Sequence, residues 1–518
     1  MSWKDEVEGI EARARLAKEH GGAEAVEVQR AKGRGTIRER IDGLIDPGSF
    51  RESGPIAGHA ETDESGQLVS FEPANYVLGI AEIDGRRCVV GGEDFTQKGG
   101  SPNAAGLRKS VFSEELACRF RLPLVRFLEG GGGSVAGTRD RSRAVVLESI
   151  NAPPRFASFV EAMGTVPVVS AAMGPVAGFP AARLVSSHFS VMTRRTSQVL
   201  VGGPALVERA MGEKLTKEEL GGADVHASTG VVDCVTEDEA AVYPAMRRFL
   251  SYLPTNVWEA PPVVACDDPR DRQEPELLEI VPRERRRVYK MRRLIELVVD
   301  RGSFFEIGEL HGRTQITGFA RLDGRPVGLL ANDPNFYAGA MTADGAQKVR
   351  RFVDLCDTFH LPIASLVDEP GFMIGSAAER AATIRHGAAA LFAVNQSSVP
   401  WISVIVRKTY GVAAAAHFGP GGYVVGWPSI EGGPLPLEGG VAVAFRREIE
   451  SAPDPEAKRR ELEEKMAAGR SPFPRAEAFG LHDLIDPRRT RPVLCDWVDW
   501  IEPRLAQHRG PRAYTLRP

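Results

Sequence analysis

Cysteine is scarce in this chain. Six are spread over 518 residues, and no two form a Cys-x-x-Cys pair. That spacing argues against a structural zinc site and against a disulfide scaffold, and fits reduced, mostly buried thiols in a cytoplasmic protein. Also missing is any apolar run of the ~18 residues that a membrane-spanning helix needs. The chain starts charged, from Lys4-Asp5-Glu6 onward, so no secretory leader is expected. Formal net charge is −4 with no basic block, which leaves no surface for a nucleic acid. No Gly-x-Ser-x-Gly elbow occurs, and no glycine run leads into the Gly-Lys-Ser/Thr of a phosphate loop. The histidines are scattered. His386 is the most interesting of them, and packing on a helix face explains it as readily as catalysis does.

What the chain does have is a second copy of itself. Gly79-Ile80-Ala81-Glu82-Ile83-Asp84-Gly85-Arg86 returns as Gly318-Phe319-Ala320-Arg321-Leu322-Asp323-Gly324-Arg325, an offset of 239 (323 − 84). The offset persists through Asp94 and Asp333, Lys109 and Lys348, Glu129 and Asp368, and Gly132 and Gly371. A unit this long is a duplicated domain rather than a solenoid repeat. With 43 % hydrophobic and 26 % charged residues the composition is that of a globular protein, and its length suits two cores better than one. The domains are expected at 1–260 and 261–518, with the polar, proline-punctuated stretch 255–285 as the boundary. A ligand cleft between copies is a common outcome of such duplication.

Hydrophobic periodicity predicts a helix over 4–32 and another over 36–45, the second stopped by Asp46-Pro47-Gly48. The segment 41–50 is echoed at 295–304, an offset of 254 (295 − 41). In the second copy strands are expected at 326–330, 363–367 and 401–406, with helices at 345–359 and 377–394. Strands at 124–127 and 166–171 repeat the order in the first. Strand–helix alternation of this kind predicts α/β layers. A charged helix over 456–468 reads as a solvated face.

Glycine marks the strand ends. Glu129-Gly130-Gly131-Gly132-Gly133 follows one strand, and Asp368-Glu369-Pro370-Gly371-Phe372 follows its counterpart. One strand later come Gly178-Phe179-Pro180 and Gly411-Val412-Ala413, each opening a small-residue segment. Such glycines allow positive φ and let a ligand approach backbone N–H groups. A plain turn, or close helix packing at Ala414 to Ala416, is the competing reading. Few acid–base side chains accompany these turns, and backbone donors alone suit the stabilisation of an enolate oxyanion.

The combined motifs resemble a known family. They are Arg38-Glu39-Arg40-Ile41-Asp42, Asp94-Phe95-Thr96 with Gly99-Gly100-Ser101, Met173-Gly174-Pro175, Val367-Asp368-Glu369-Pro370-Gly371-Phe372, Arg407-Lys408-Thr409-Tyr410-Gly411 and Trp427-Pro428. From about residue 30 onward the chain is similar to the carboxyltransferase (beta) subunits of biotin-dependent acyl-CoA carboxylases, of the propionyl-CoA and methylcrotonyl-CoA type. The resemblance implies an α/β fold of two tandem crotonase-like (ClpP/crotonase) domains. It implies that the N-terminal domain binds acyl-CoA and the C-terminal domain of a partner copy binds carboxybiotin, delivered by a separate biotin carboxylase and carrier subunit. Carboxybiotin then releases CO2, its ureido group takes the α-proton, and the thioester enolate attacks CO2. By motif match the oxyanion donors fall at Gly131 and Gly132 and at Val412 and Ala413. Binding positions fall at Gly99, Gly100, Gly174, Gly178, Gly371, Phe372, Gly411 and Ala415. No metal is implied, and a hexamer built as a trimer of dimers is. The chain departs from the family at Phe179 and Val412, where glycine is usual. Ala415, at the position that tunes acyl choice, suggests an acyl group more apolar or bulkier than acetyl. Two other readings stay open: a decarboxylase using the same enolate chemistry, and a degenerate subunit that serves assembly.

Overall fold

The computed structural model describes residues 2–132, 156–468, 471–507, 509–514 and 516. Gly133, which closes the first glycine run, lies outside them. The chain divides into two compact units, one built on Met1–Glu259 and the other on Ala260–Tyr514.

Each unit is built on one mixed sheet. In the first the strand order is Arg51–Glu52, Tyr76–Ile83, Arg86–Glu93, Leu124–Gly130, Val168–Ala177, Phe189–Thr193 and Cys234–Thr236, with Gln198–Leu200 added beside Val168–Ala177. The first two pairings are antiparallel and the others parallel. The second unit repeats this with Phe305–Glu306, Gln315–Leu322, Arg325–Asn332, Ile363–Glu369, Trp401–Tyr410, Tyr423–Gly426 and Asp483–Leu484. Residues Leu124–Gly130 and Ile363–Glu369 are buried throughout, as a central parallel strand covered on both faces must be.

The shift between the two offsets has a visible cause. The hairpin Gly58–Thr62 with Leu68–Pro73 forms a separate two-stranded sheet in the first unit. The second unit runs directly from Phe305–Glu306 to Gln315–Leu322, which accounts for the fifteen residues between the offsets of 254 and 239. Past the glycine turns the offset becomes 233, pairing Val168–Ala177 with Trp401–Tyr410 and Gly178 with Gly411.

Two expected helices are interrupted. The predicted 4–32 helix is two, Lys4–Leu16 and Ala23–Ala31, because the chain docks between them onto Thr96. Gly21 N–H donates to Thr96 Oγ1 at 2.9 Å, and a Cβ at Gly21 would lie 2.2 Å from the Thr96 carbonyl oxygen. The predicted 377–394 helix breaks into Ser376–Arg380 and Thr383–Gln396 at Ala382, which has φ +54°. Pro455–Ala468 is helical as the sequence indicates, yet its Leu462 is buried against Leu437 and Val441. All six cysteines are free; Cys88, Cys356 and Cys495 are buried and the other three partly so. Among the described residues no helix is long and apolar enough to cross a membrane, and no His, Cys, Asp and Glu cluster could hold a metal.

Candidate functional site

In the first unit, strand Leu124–Gly130 ends on a buried carboxylate. Glu129 is fully buried, with Arg34 Nη1 on one oxygen and Arg40 Nη1 on the other, both at 2.5 Å. Gln29 adds a third donor at 2.8 Å. Arg40 sits on helix Ile37–Leu44, whose start is fixed by reciprocal bonds between Thr36 and Glu39. It also bonds Glu239 at 2.7 Å and the Met173 carbonyl at 3.2 Å. Burial opposes the Arg40 charge, but Glu129 and Glu239 outweigh it and raise its pKa.

Glycines let the chain close around this carboxylate. A Cβ at Gly174 would stand 2.2 Å from Glu129 Oε1, and one at Gly100 would stand 2.3 Å from the Glu129 carbonyl oxygen. Gly99 and Gly100 have φ +65° and +70°, and the Gly99 carbonyl accepts the Gly131 N–H at 3.2 Å. Gly132, at φ +74°, lies against Gly178, at φ +64°; a Cβ on Gly132 would be 3.5 Å from Gly178 Cα. Among the described residues Gly132 N–H has no hydrogen-bond partner. Nor does the Phe179 N–H, at the start of helix Phe179–Val185. Gly99, Gly100, Gly131, Gly132, Gly174 and Gly178 are thus gathered at one strand end.

The second unit builds the equivalent turn with different side chains. Asp368, 239 residues after Glu129 (368 − 129), is fully buried and held by Arg407 at 2.9 Å and the Tyr289 hydroxyl at 3.0 Å. Glu369, at the position of Gly130, accepts the Gly371 N–H at 2.9 Å and the Asn332 amide at 2.9 Å. Gly371 N–H is therefore engaged where Gly132 N–H is not. Gly411, at φ +62°, donates its N–H to the Gly433 carbonyl at 3.1 Å. Val412 and Ala413 then open the short 3-10 segment Val412–His417, and their N–H groups have no partner among the described residues. Phe372 packs on Gly387, where a Cβ would meet its ring at 2.3 Å. Ser365, His417 and Glu369 line up at 3.0 and 3.4 Å, but all three are fully buried. His417 Nε2 makes no hydrogen bond; the Ser365 contact, with Ser403 donating to the His417 carbonyl at 2.7 Å, fastens the segment to its strands and offers no exposed nucleophile.

Two expectations change here. Gly131 is not a free donor, because Gly99 takes its N–H. The glycine losses at Phe179 and Val412 cost the backbone nothing: positive φ falls on Gly178 and Gly411, one residue earlier, and neither Phe179 nor Val412 has it. Val412 is 66 % exposed, so its β-branch fills no buried space.

A model of the carboxyl transferase domain matches residues 28–506. The chain belongs to the carboxyl transferase domain family. Among its relatives, the propionyl-CoA carboxylase carboxyltransferase subunit of Haloferax mediterranei is 35 % identical over 501 residues, covering 95 % of each chain. The methylmalonyl-CoA decarboxylase alpha subunit of Propionigenium modestum is 31 % identical over 491 residues, covering 93 % of each. Among solved structures, the transcarboxylase 12S hexamer with methylmalonyl-coenzyme A bound superposes with a TM-score of 0.87 at 31 % identity, covering 100 % of this chain and 98 % of that one. The crotonase-like duplication expected from the sequence is thus the fold of this carboxyl transferase. The sequence motifs contain Arg40 and Arg407, whereas nothing in the sequence pointed to Arg34 or Tyr289. The signal it did hold was the 239-residue match of Glu129 with Asp368, two carboxylates at buried strand ends.

Proposed function

We propose that this chain is the carboxyltransferase subunit of an acyl-CoA carboxylase and moves CO2 from carboxybiotin to the α-carbon of an acyl-CoA. The observation that carries the reading is the pair of unengaged N–H groups at each turn, on a chain matching the family over residues 28–506. In the first unit the thioester oxygen is assigned to Gly132 N–H and Phe179 N–H. Pro180, second in helix Phe179–Val185, has no N–H, so Phe179 has no adjacent donor beside it there. Gly132, which packs on Gly178, supplies the second, and Gly131 holds the turn to Gly99. In the second unit Val412 and Ala413 are the corresponding donors, with Gly411, Ala415, Gly371 and Phe372 around them. The residues fit a ureido oxygen there: Val412 and Ala415 are exposed, and their segment starts with free N–H groups. Carboxybiotin, when bound, supplies the CO2 and accepts the α-proton. Losing one oxyanion donor typically costs about 2.7–4 kcal/mol of barrier, so these N–H groups carry much of the catalysis.

A separate carrier subunit is the reading supported by the two Lys-Met pairs, Lys290-Met291 and Lys465-Met466, which lie beside or within charged helices rather than in a carrier hairpin. A hexameric assembly is supported by the transcarboxylase 12S hexamer, and a reducing cytoplasmic setting by six free thiols. The decarboxylase relative keeps the reverse reaction in view. Incubation with a biotin carboxylase and carrier, ATP, bicarbonate and acetyl-, propionyl- and butyryl-CoA should yield a carboxylated thioester. Failure with these and with hydroxyl-ended acyl-CoAs, alongside CO2 loss from methylmalonyl-CoA, would overturn the carboxylase direction. CoA-thioester binding with neither activity would leave only the assembly role.

A further inference from the structure

Beside the first unit's turn lies a cavity of about 120 Å³. At about 30 Å³ per water it has room for roughly four, or for a small acyl fragment. Gly132 and Phe179 form part of its wall, and Tyr76, Glu93, Ser110 and Arg183 supply polar groups. Arg183 is only 2 % exposed; its Nε bonds Glu114 at 2.8 Å, while its Nη2 is buried without a partner. An unmade hydrogen bond at a buried donor costs about 1–3 kcal/mol, more when the group is charged. Glu93 accepts the Glu129 N–H through Oε2 at 3.3 Å, and burial pushes its carboxyl above the usual range. The second unit keeps neither the arginine nor the glutamate, although Gln315, which matches Tyr76, also has a buried Oε1 without a partner. At the matching positions stand Asn332, already bonded to the Gly339 carbonyl and Glu369, and the apolar Val349 and Ala416.

We propose that this cavity receives the distal end of the acyl group and selects a short chain ending in a hydroxyl. The hydroxyl oxygen accepts from Arg183 Nη2, and its hydrogen goes to the Glu93 carboxyl. A methyl group of the same size would leave Arg183 Nη2 unpartnered, and a second carboxylate would crowd Glu93. The assignment rests on the reading that Gly132 and Phe179 hold the thioester oxygen, since that sets the acyl chain against the cavity. It departs from the more apolar acyl group that Ala415 by itself suggested.

The test is calorimetric titration of the full-length protein with 3-hydroxypropionyl-CoA and butyryl-CoA, which have equal numbers of heavy atoms. The hydroxyl thioester should bind at least about tenfold more tightly, because a site built around a hydroxyl rejects the analogue lacking it. In Arg183→Met the preference should shrink to about twofold or less. If that variant fails to fold, the wild-type comparison still decides. Equal or tighter binding of butyryl-CoA, or binding of neither, would overturn the proposal and leave the cavity to water. Turnover with the carrier system is read separately. A hydroxyl preference without any turnover removes the proposed function and not the cavity's selectivity. Turnover without the preference does the reverse.

Discussion

Replacing Glu129 by Gln tests whether the buried charge cluster holds the catalytic turn. The wild-type carboxylate is 0 % exposed and takes Arg34, Arg40 and Gln29 on its two oxygens. Glutamine keeps the shape but turns one acceptor into an NH2 facing donors. Arg40 still has Glu239 at 2.7 Å, so the guanidinium left uncompensated is Arg34. Breaking one side of a buried ion pair costs about 3–5 kcal/mol. At about 2 °C per kcal/mol for a unit of this size, the first thermal transition should fall by about 6–10 °C. Differential scanning calorimetry of the purified oligomer reads this directly. Adding Arg34→Met to Glu129→Gln should recover part of the loss, because it removes the orphaned charge. A single-variant shift under about 2 °C, or no recovery in the double variant, would refute the claim that this cluster stabilises the turn.

Gly174→Ala drives a methyl to 2.2 Å from Glu129 Oε1 and should lower stability by about 1–3 kcal/mol; an unchanged melting temperature would contradict the close approach. Gly132→Pro deletes a proposed donor and should cut kcat about 10²–10³-fold. Because φ there is +74°, Gly132→Ala is the control for strain, and it should stay at least about tenfold more active since it keeps its N–H. Equal loss in both variants would remove the oxyanion role. Burial pushes the Cys88 thiol up to about 12 and Cys356 well above its ordinary value. At pH 8 only ~1 in 10⁴ Cys88 side chains is then thiolate, the form that reacts, so native protein treated with iodoacetamide should show both unmodified by mass spectrometry. Raising the pH toward 10 should speed Cys88 alkylation only as its small thiolate fraction grows; rapid reaction at pH 8 would contradict its burial.

Much of the architecture was legible because duplication writes each feature twice. The offset of 239 aligns Glu129 with Asp368 and Gly132 with Gly371, and the expected strands start within two residues of the observed ones, although Val168–Ala177 runs six residues past its expected end. The helix break at Gly21 carried a signal in the Gly21-Gly22 pair that periodicity passes over, and the break at Ala382 was not legible. The first depends on docking against Thr96, some seventy-five residues away, and neither shows in local periodicity. The site divides the same way. Motif spacing located the four turns, but it could not show that Gly99 takes the Gly131 N–H, or that Glu369 takes the one at Gly371.

By itself the sequence determined the family, the doubled α/β fold and the positions of the glycine turns, because these are carried by residue identity and spacing along one chain. Tertiary structure alone decided which N–H groups stay free, which carboxylates are clamped by arginine, and where Arg183 meets a cavity it leaves unfilled. Those outcomes depend on hydrogen-bond partners and desolvation supplied by segments far apart in sequence, and the order of letters does not show which donors have already been used.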